Sequence, residues 1–216
     1  EYDLSIRPRD YQIEAYNFAI EHERGMVVSP TASGKSLIIY MLCRHYLNMI
    51  NNNILIIVPT TSLVEQLYKD FKDYGYDVET NVSRKYHGYD IDEDKRIVIS
   101  TWQSLYKMPK KFFEDYGAVI GDEAHLFKAV SLTKIMTKLT DCKYRVGLTG
   151  TLDDSKTHKL VLQGLFGTVN RVVSTKQLID KKQLAQLKVM CLNLKYPESE
   201  AKKIYCLLYT SPSPRD

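Results

Sequence analysis

Ser29-Pro30-Thr31-Ala32-Ser33-Gly34-Lys35-Ser36 lies between the apolar run Met26-Val27-Val28 and a longer one beginning Leu37-Ile38-Ile39. The pattern predicts a strand, a tight loop and a buried helix, and the loop composition says what the turn is for. A triphosphate packs several negative charges into little space. Backbone N–H groups of a tight loop, together with a helix N-terminus, can cradle it. Thr31, Ser33 and Gly34 supply that loop, with Gly34 allowing close backbone approach. Lys35 is expected to pair with the β- and γ-phosphates, and Ser36 to offer its hydroxyl to Mg²⁺. The general phosphate-loop pattern has Gly at its first position, where this chain has Ser29.

A second signal, Gly121-Asp122-Glu123-Ala124-His125, directly follows the apolar run Ala118-Val119-Ile120. The carboxyl end of a strand in an open α/β sheet is where such folds place their ligand crevice. Asp122 suits a Mg²⁺ ion, usually through water, and Glu123 is placed to polarise an attacking water. Two acids on a turn can equally be a solvated surface feature. Beside a phosphate loop they specify nucleotide hydrolysis instead.

Working outward, short Val- and Ile-rich runs at Met26–Ser29, Ile54–Val58, Ile97–Ser100, Ala118–Gly121 and Arg145–Leu148 read as strands. Helical patterns fall between them at Gly34–Asn48, Ser62–Tyr74, Gln103–Tyr106 and Ser131–Leu139, after a leading helix around Tyr11–Glu23. Strand–helix alternation predicts an α/β fold, a mostly parallel sheet with helices on both faces. Leu37 to Leu42 is apolar all round, so that helix is expected to be buried. The polar stretch Tyr74–Asp94 reads as surface structure with room for one edge strand. Thr175–Lys181 looks helical and Leu187–Leu194 strand-like, and Tyr196-Pro197 breaks the pattern.

Composition bounds the class. In 216 residues, 44% hydrophobic and 26% charged, there is material for one sizeable core. No apolar run reaches the ~18 residues of a membrane span, and no signal-peptide pattern opens the chain. A net charge of +4 is too mild to argue for nucleic acid by itself. Cys43, Cys142, Cys191 and Cys206 have no regular spacing, so they read as scattered reduced thiols in a cytoplasmic protein, not as a disulfide or zinc site. The chain opens on Glu1 rather than Met, and its last stretch, Cys206–Asp216, matches residue for residue the translation of a transposon-type sequencing-library adapter. On this reading the natural sequence stops near Tyr205.

The order of motifs resembles superfamily 2 helicases of the DEAH-box-like kind, in which Pro-Thr-x-x-Gly-Lys-Ser is the phosphate-loop variant. The resemblance implies a RecA-like, P-loop NTPase domain over residues 1–195, a linker beginning at 196–205 toward a second RecA-like domain that this chain lacks, and non-native read-through at 206–216. It implies ATP and Mg²⁺ as cofactors. Arg9-Asp10-Tyr11-Gln12 is similar to the family's adenine-recognition element, which makes Gln12 the base reader and Arg9 its support. Val58-Pro59-Thr60-Thr61 resembles motif Ia and Ser100-Thr101-Trp102-Gln103 motif Ib, so Pro59, Thr60, Thr101 and Trp102 are implied to line the nucleic-acid groove. Both stretches also read as capped helix starts. Leu148-Thr149-Gly150-Thr151 resembles motif III, whose Thr149, Gly150 and Thr151 would couple the two sites, with hydroxyls reaching His125. Lys35, Glu123 and His125 form the implied catalytic set.

The wider match is to the UvsW-like DNA helicases of T-even phages. It runs through Ile54–Thr61, Thr101-Trp102-Gln103, Phe166-Gly167, Ser174-Thr175-Lys176 and Leu194–Pro197. Sixteen tyrosines and many Lys, Asn and Ile also suit an AT-rich phage genome. The likeness implies an ATP-dependent helicase or translocase acting on branched or duplex DNA or RNA–DNA hybrids, in the host bacterial cytoplasm if phage-encoded, with no membrane partner. The alternatives are the motor subunit of a restriction system, and a nucleotide- and DNA-binding module without turnover.

Overall fold

The structure, a computed structural model, describes residues 6–86, 92, 94–126, 129–150, 156–182 and 190. Thr151, the strand expected at Leu187–Leu194, the break at Tyr196-Pro197 and the final stretch lie outside the described residues. The chain clusters into two compact units, Glu1–Leu184 and Ala185–Asp216, and every described helix and strand lies in the first.

In chain order the first unit runs α1 (Asp10–Glu21), β1 (Arg24–Val28), α2 (Lys35–Met49), β2 (Asn53–Val58) and α3 (Thr61–Asp73). It continues with α4 (Val78–Asn81), β3 (Val82–Lys85), β4 (Ile97–Thr101), α5 (Trp102–Leu105) and β5 (Tyr116–Gly121). The last elements are α6 (Ala129–Lys138), β6 (Tyr144–Thr149), α7 (Lys156–Phe166), β7 (Thr168–Arg171) and α8 (Thr175–Asp180). All seven strands are parallel, in the order β3-β4-β2-β5-β6-β1-β7. The expected mostly parallel sheet is therefore wholly parallel among these strands, and the edge strand anticipated within Tyr74–Asp94 is β3.

A sheet covered on both faces must bury both sets of alternating side chains. Ile54, Ile56 and Val58 of β2 point into one core with α1, α2 and α3; Leu55 and Ile57 point into the other, with α5, α6 and α7. Helix α2 is buried on nearly every side, from Leu37 to Cys43, as its unbroken apolar run requires. Helix α3 instead buries one stripe, Val64, Leu67, Tyr68 and Phe71, at helical spacing. Burying each such side chain contributes about 1.5–3 kcal/mol, so this stripe fixes how α3 lies on the sheet.

Helix α7 and strand β7 were not anticipated. Gly164 lowers the helix signal of α7, and only Leu162 and Phe166 fully bury on its described face. Phe166 fits because Gly147 of β6 has no side chain: a Cβ there would meet the ring at 3.1 Å. β7 is short and half-exposed along its length, so it carries no alternation to read.

Candidate active site

The carboxyl ends of β1, β6 and β5 bring the two strongest motifs together. β1 and β5 are not neighbours; β6 lies between them and carries Thr149 into the gap. The loop after β1 is pinned to it by Ser29 N–H donating to Thr149 O at 2.9 Å, and Asp122 N–H donates to Ile57 O at 2.9 Å.

The phosphate loop turns through two left-handed residues, Ala32 (φ 64°) and Gly34 (φ 76°). Gly34 is then the cap from which α2 starts. Ser29, where the general pattern has Gly, is accommodated because its hydroxyl donates to Ser33 Oγ at 2.7 Å inside the loop. Behind the loop sits α1. Tyr11 donates its hydroxyl to Ser33 O at 2.8 Å, and Gln12 Nε2 donates to Ser33 O at 3.0 Å and Gly34 O at 3.2 Å. Gln12 Oε1 accepts the Arg9 N–H at 2.9 Å, and the Arg9 guanidinium donates to the Tyr11 hydroxyl at 3.0 Å.

Gln12 thus lies against the phosphate loop. Here its amide nitrogen donates to loop carbonyls, and one lone pair of Oε1 remains beyond the Arg9 N–H. Tyr11, not anticipated as a site residue, shares that contact.

Lys35 Nζ lies 2.9 Å from Glu123 Oε1, with Lys35 9% and Glu123 16% exposed. Glu123 adopts a left-handed backbone (φ 49°), a conformation that costs a non-glycine residue and is held where the surroundings over-determine it. What holds it is visible: Glu123 N–H donates to Asp122 Oδ1 at 3.0 Å, and Gly150 N–H donates to Glu123 Oε2 at 3.3 Å. His125 Nδ1 is 3.3 Å from Glu123 Oε2 and 2.6 Å from Thr149 Oγ1. A Cβ on Gly150 would meet Thr31 Oγ1 at 3.2 Å, so the motif III backbone and the phosphate loop are in close contact. Asp122 is buried, and its carboxyl is pushed up to about 6, first by burial and then by the Glu123 charge, against the pull of Lys35 and the Glu123 N–H.

Whether these groups suit Mg²⁺ can be judged from donor chemistry. Asp122 and Ser36 offer hard oxygen ligands, the type Mg²⁺ takes alongside nucleotide phosphates. A cation would also relieve the cost of ionising a buried Asp122. This donor set fits a Mg²⁺ carried in with phosphates. Ser36 Oγ has a partner already, the Tyr74 hydroxyl at 2.8 Å.

The implied groove residues separate. Thr60 is exposed and caps α3, its Oγ1 accepting Leu63 N–H at 3.3 Å. Pro59 is buried, and its carbonyl accepts from Gln103 Nε2 at 3.2 Å, which ties the two candidate motifs together. Thr101 is buried, with its hydroxyl 3.0 Å from Ser104 Oγ, and Trp102 packs half-buried against the second core. Thr101 therefore starts α5 and does not present its hydroxyl to solvent. Sequence could not separate these cases, because capping and phosphate contact favour the same residue types.

Residues 5–154 match the family described as Type III restriction enzyme, res subunit. The chain belongs to that family. It is a first RecA-like domain of the superfamily 2 helicase kind, and its relatives agree with the fold. The ATP-dependent DNA helicase uvsW of Enterobacteria phage T4 is 34% identical over 203 residues, covering 92% of this chain and 40% of the relative. The DNA 3'-5' translocase XPB2 of Sulfurisphaera tokodaii is 29% identical over 200 residues, covering 92% of this chain and 43% of the relative. The crystal structure of the UvsW helicase from bacteriophage T4 superposes with a TM-score of 0.71 at 34% identity, covering 77% of this chain and 60% of that one. The chain thus spans about two fifths of the length of these curated relatives. Among the described residues no helix is long and apolar enough to cross a membrane.

Proposed function

We propose that this chain is the ATP-binding half of a cytoplasmic DNA motor, a helicase or translocase whose full-length form couples ATP hydrolysis to remodelling of branched or duplex DNA, RNA–DNA hybrids included. The observation that carries the reading is the Lys35–Glu123 pair at the junction of three loops, with Ser36 and Asp122 alongside. An ammonium and a carboxylate at ion-pair distance in a partly buried crevice are the two groups that phosphoryl transfer to water needs on either side of a γ-phosphate. In this reading Lys35 exchanges Glu123 for phosphate oxygens. Glu123, freed from Lys35 but still held by Gly150 N–H, orients the attacking water. Ser36 and Asp122 would hold Mg²⁺, which would neutralise charge developing on the phosphates. His125 and Thr149 join the carboxylate to motif III, and Thr151 belongs with them. Thr31, Ser33 and Gly34 cradle the phosphates, with Arg9 and Gln12 beside the base.

The DNA reading is supported by the relatives' names and by an exposed Thr60, where a sugar–phosphate backbone would be positioned without being read. An arginine from a second RecA-like domain completes the charge stabilisation, and in comparable sites that group contributes about 10³–10⁵ in rate. Residues 1–195 are taken as the first motor domain and 196–205 as the start of a link to that second domain. A second reading, the motor subunit of a restriction system, is favoured by the family description. A nuclease or methyltransferase encoded beside the gene would select it.

The test compares ATP turnover by this chain and by the two-domain parent, each with and without forked DNA. The reading expects a weak, DNA-insensitive chain and a parent stimulated by DNA. Equal turnover by both would place a complete active site within this domain. A parent that binds ATP without turning it over would leave a nucleotide-binding module.

A further inference from the structure

Helix α3 ends beside the phosphate loop. Its last cap, Tyr74, reaches across to the second residue of α2, and the Tyr74 hydroxyl lies 2.8 Å from Ser36 Oγ although the two are 38 positions apart in sequence. The tyrosine ring does not hang free. It lies against Tyr40 with centroids 5.4 Å apart, and Tyr40 in turn contacts Phe71 at 5.2 Å and Tyr76 at 5.8 Å, with the Arg44 guanidinium over both Tyr40 and Tyr76. Tyr40, itself packed against Phe71 and Tyr76, therefore helps fix where that hydroxyl sits.

The chemistry of the pair gives that hydroxyl a use. A serine hydroxyl carries one proton and two acceptor lone pairs, and a phenol can take the proton or give one. We infer that Tyr74 is a positioning residue for Ser36: it binds the Ser36 hydroxyl from the α3 side and leaves an oxygen lone pair that would be available to a Mg²⁺ brought in with nucleotide. The inference rests on the reading of Ser36 as a metal ligand. Thr60 caps the other end of the same helix, so α3 physically joins the exposed motif Ia residue to the metal-binding hydroxyl.

The experiment is calorimetric titration of the full 216-residue chain with ADP, once in Mg²⁺ and once in EDTA, for the wild type, Tyr74→Phe, Ser36→Ala and the double variant. Tyr74→Phe keeps the ring in its aromatic setting and removes only the hydroxyl; thermal melting checks that each variant folds. Losing one hydrogen bond to the ligating hydroxyl is expected to cut the ratio of Mg²⁺ to metal-free affinity about 3- to 10-fold. Adding Tyr74→Phe to Ser36→Ala should change that ratio no further. Equal losses with and without Mg²⁺, or additive losses in the double variant, would reduce Tyr74 to a packing residue and overturn the inference. If Ser36→Ala removes the Mg²⁺ preference and Tyr74→Phe leaves it whole, the inference alone fails. If the wild type shows no Mg²⁺ preference, or Ser36→Ala keeps it, the metal site itself is wrong and Tyr74 falls with it.

Discussion

Replacing Gly34 with Ala perturbs the phosphate loop at a position whose demands can be worked out. Its φ of 76° lies in the left-handed region, where a residue with a Cβ costs about 1–2 kcal/mol. A Cβ at that position would also sit 2.6 Å from Gln12 Nε2, closer than real contacts allow. The amide must then move off the Ser33 and Gly34 carbonyls it binds at 3.0 and 3.2 Å. Each lost bond costs about 0.5–1.5 kcal/mol, and the stiffer unfolded chain returns about 0.4–1 kcal/mol. The net expectation is a loss of about 1–4.5 kcal/mol, or a melting temperature lower by roughly 2–18 °C for a chain of this size. Thermal denaturation followed by circular dichroism reads it, and ADP titration should show weakened binding in the same variant. A melting temperature within a degree of wild type would mean that neither the left-handed turn nor the Gln12 contact holds the loop.

Gln12→Ala should lower affinity for ATP and GTP together, with a small extra loss for ATP, because the side chain mainly holds loop carbonyls; a loss confined to ATP would make base reading its chief role. Burial pushes the Cys142 thiol up to about 12 and Cys43 higher still, from an ordinary value of 9.0. Both should resist alkylation at pH 8 until the protein unfolds, as peptide mass spectrometry would detect. The sign of the linkage follows: the folded chain holds these protons longer than the unfolded one, so stability is intact below pH 9 and falls above it. Each thiol then costs about 1.4 kcal/mol per pH unit, and a melting temperature that does not fall between pH 9 and pH 10.5 would contradict the burial.

Much of the fold was legible because the deciding strands are short runs rich in Ile and Val. Ile54–Val58 and Ile97–Thr101 are buried on both faces, a state that leaves little choice of residue. The phosphate loop and Asp122-Glu123 were legible because their chemistry demands particular residue types at short range. What escaped was set at long range or by weak local signals. Nothing in the spacing of Ser36 and Tyr74 announces their contact, which the α2–α3 packing creates. Gln12 was identified as a site residue, but the direction of its amide depends on where α1 sits behind the loop. Thr101 and Thr60 look alike in sequence, and only burial tells the helix start from the exposed cap. Helix α7 owes its place to Phe166 meeting a glycine on β6, a tertiary fit that overrides a weak propensity.

The central claim is that Lys35 is the phosphate-binding cation of a nucleotide site. Titrate the chain with Mg-ATP by calorimetry, wild type against Lys35→Ala, with melting curves to confirm that both fold. Removing a charge-assisted contact of about 1.5–3 kcal/mol predicts a single site in the wild type and an affinity weaker by roughly 10- to 150-fold in the variant. Unchanged affinity in Lys35→Ala, or no binding to the folded wild type, would contradict the account.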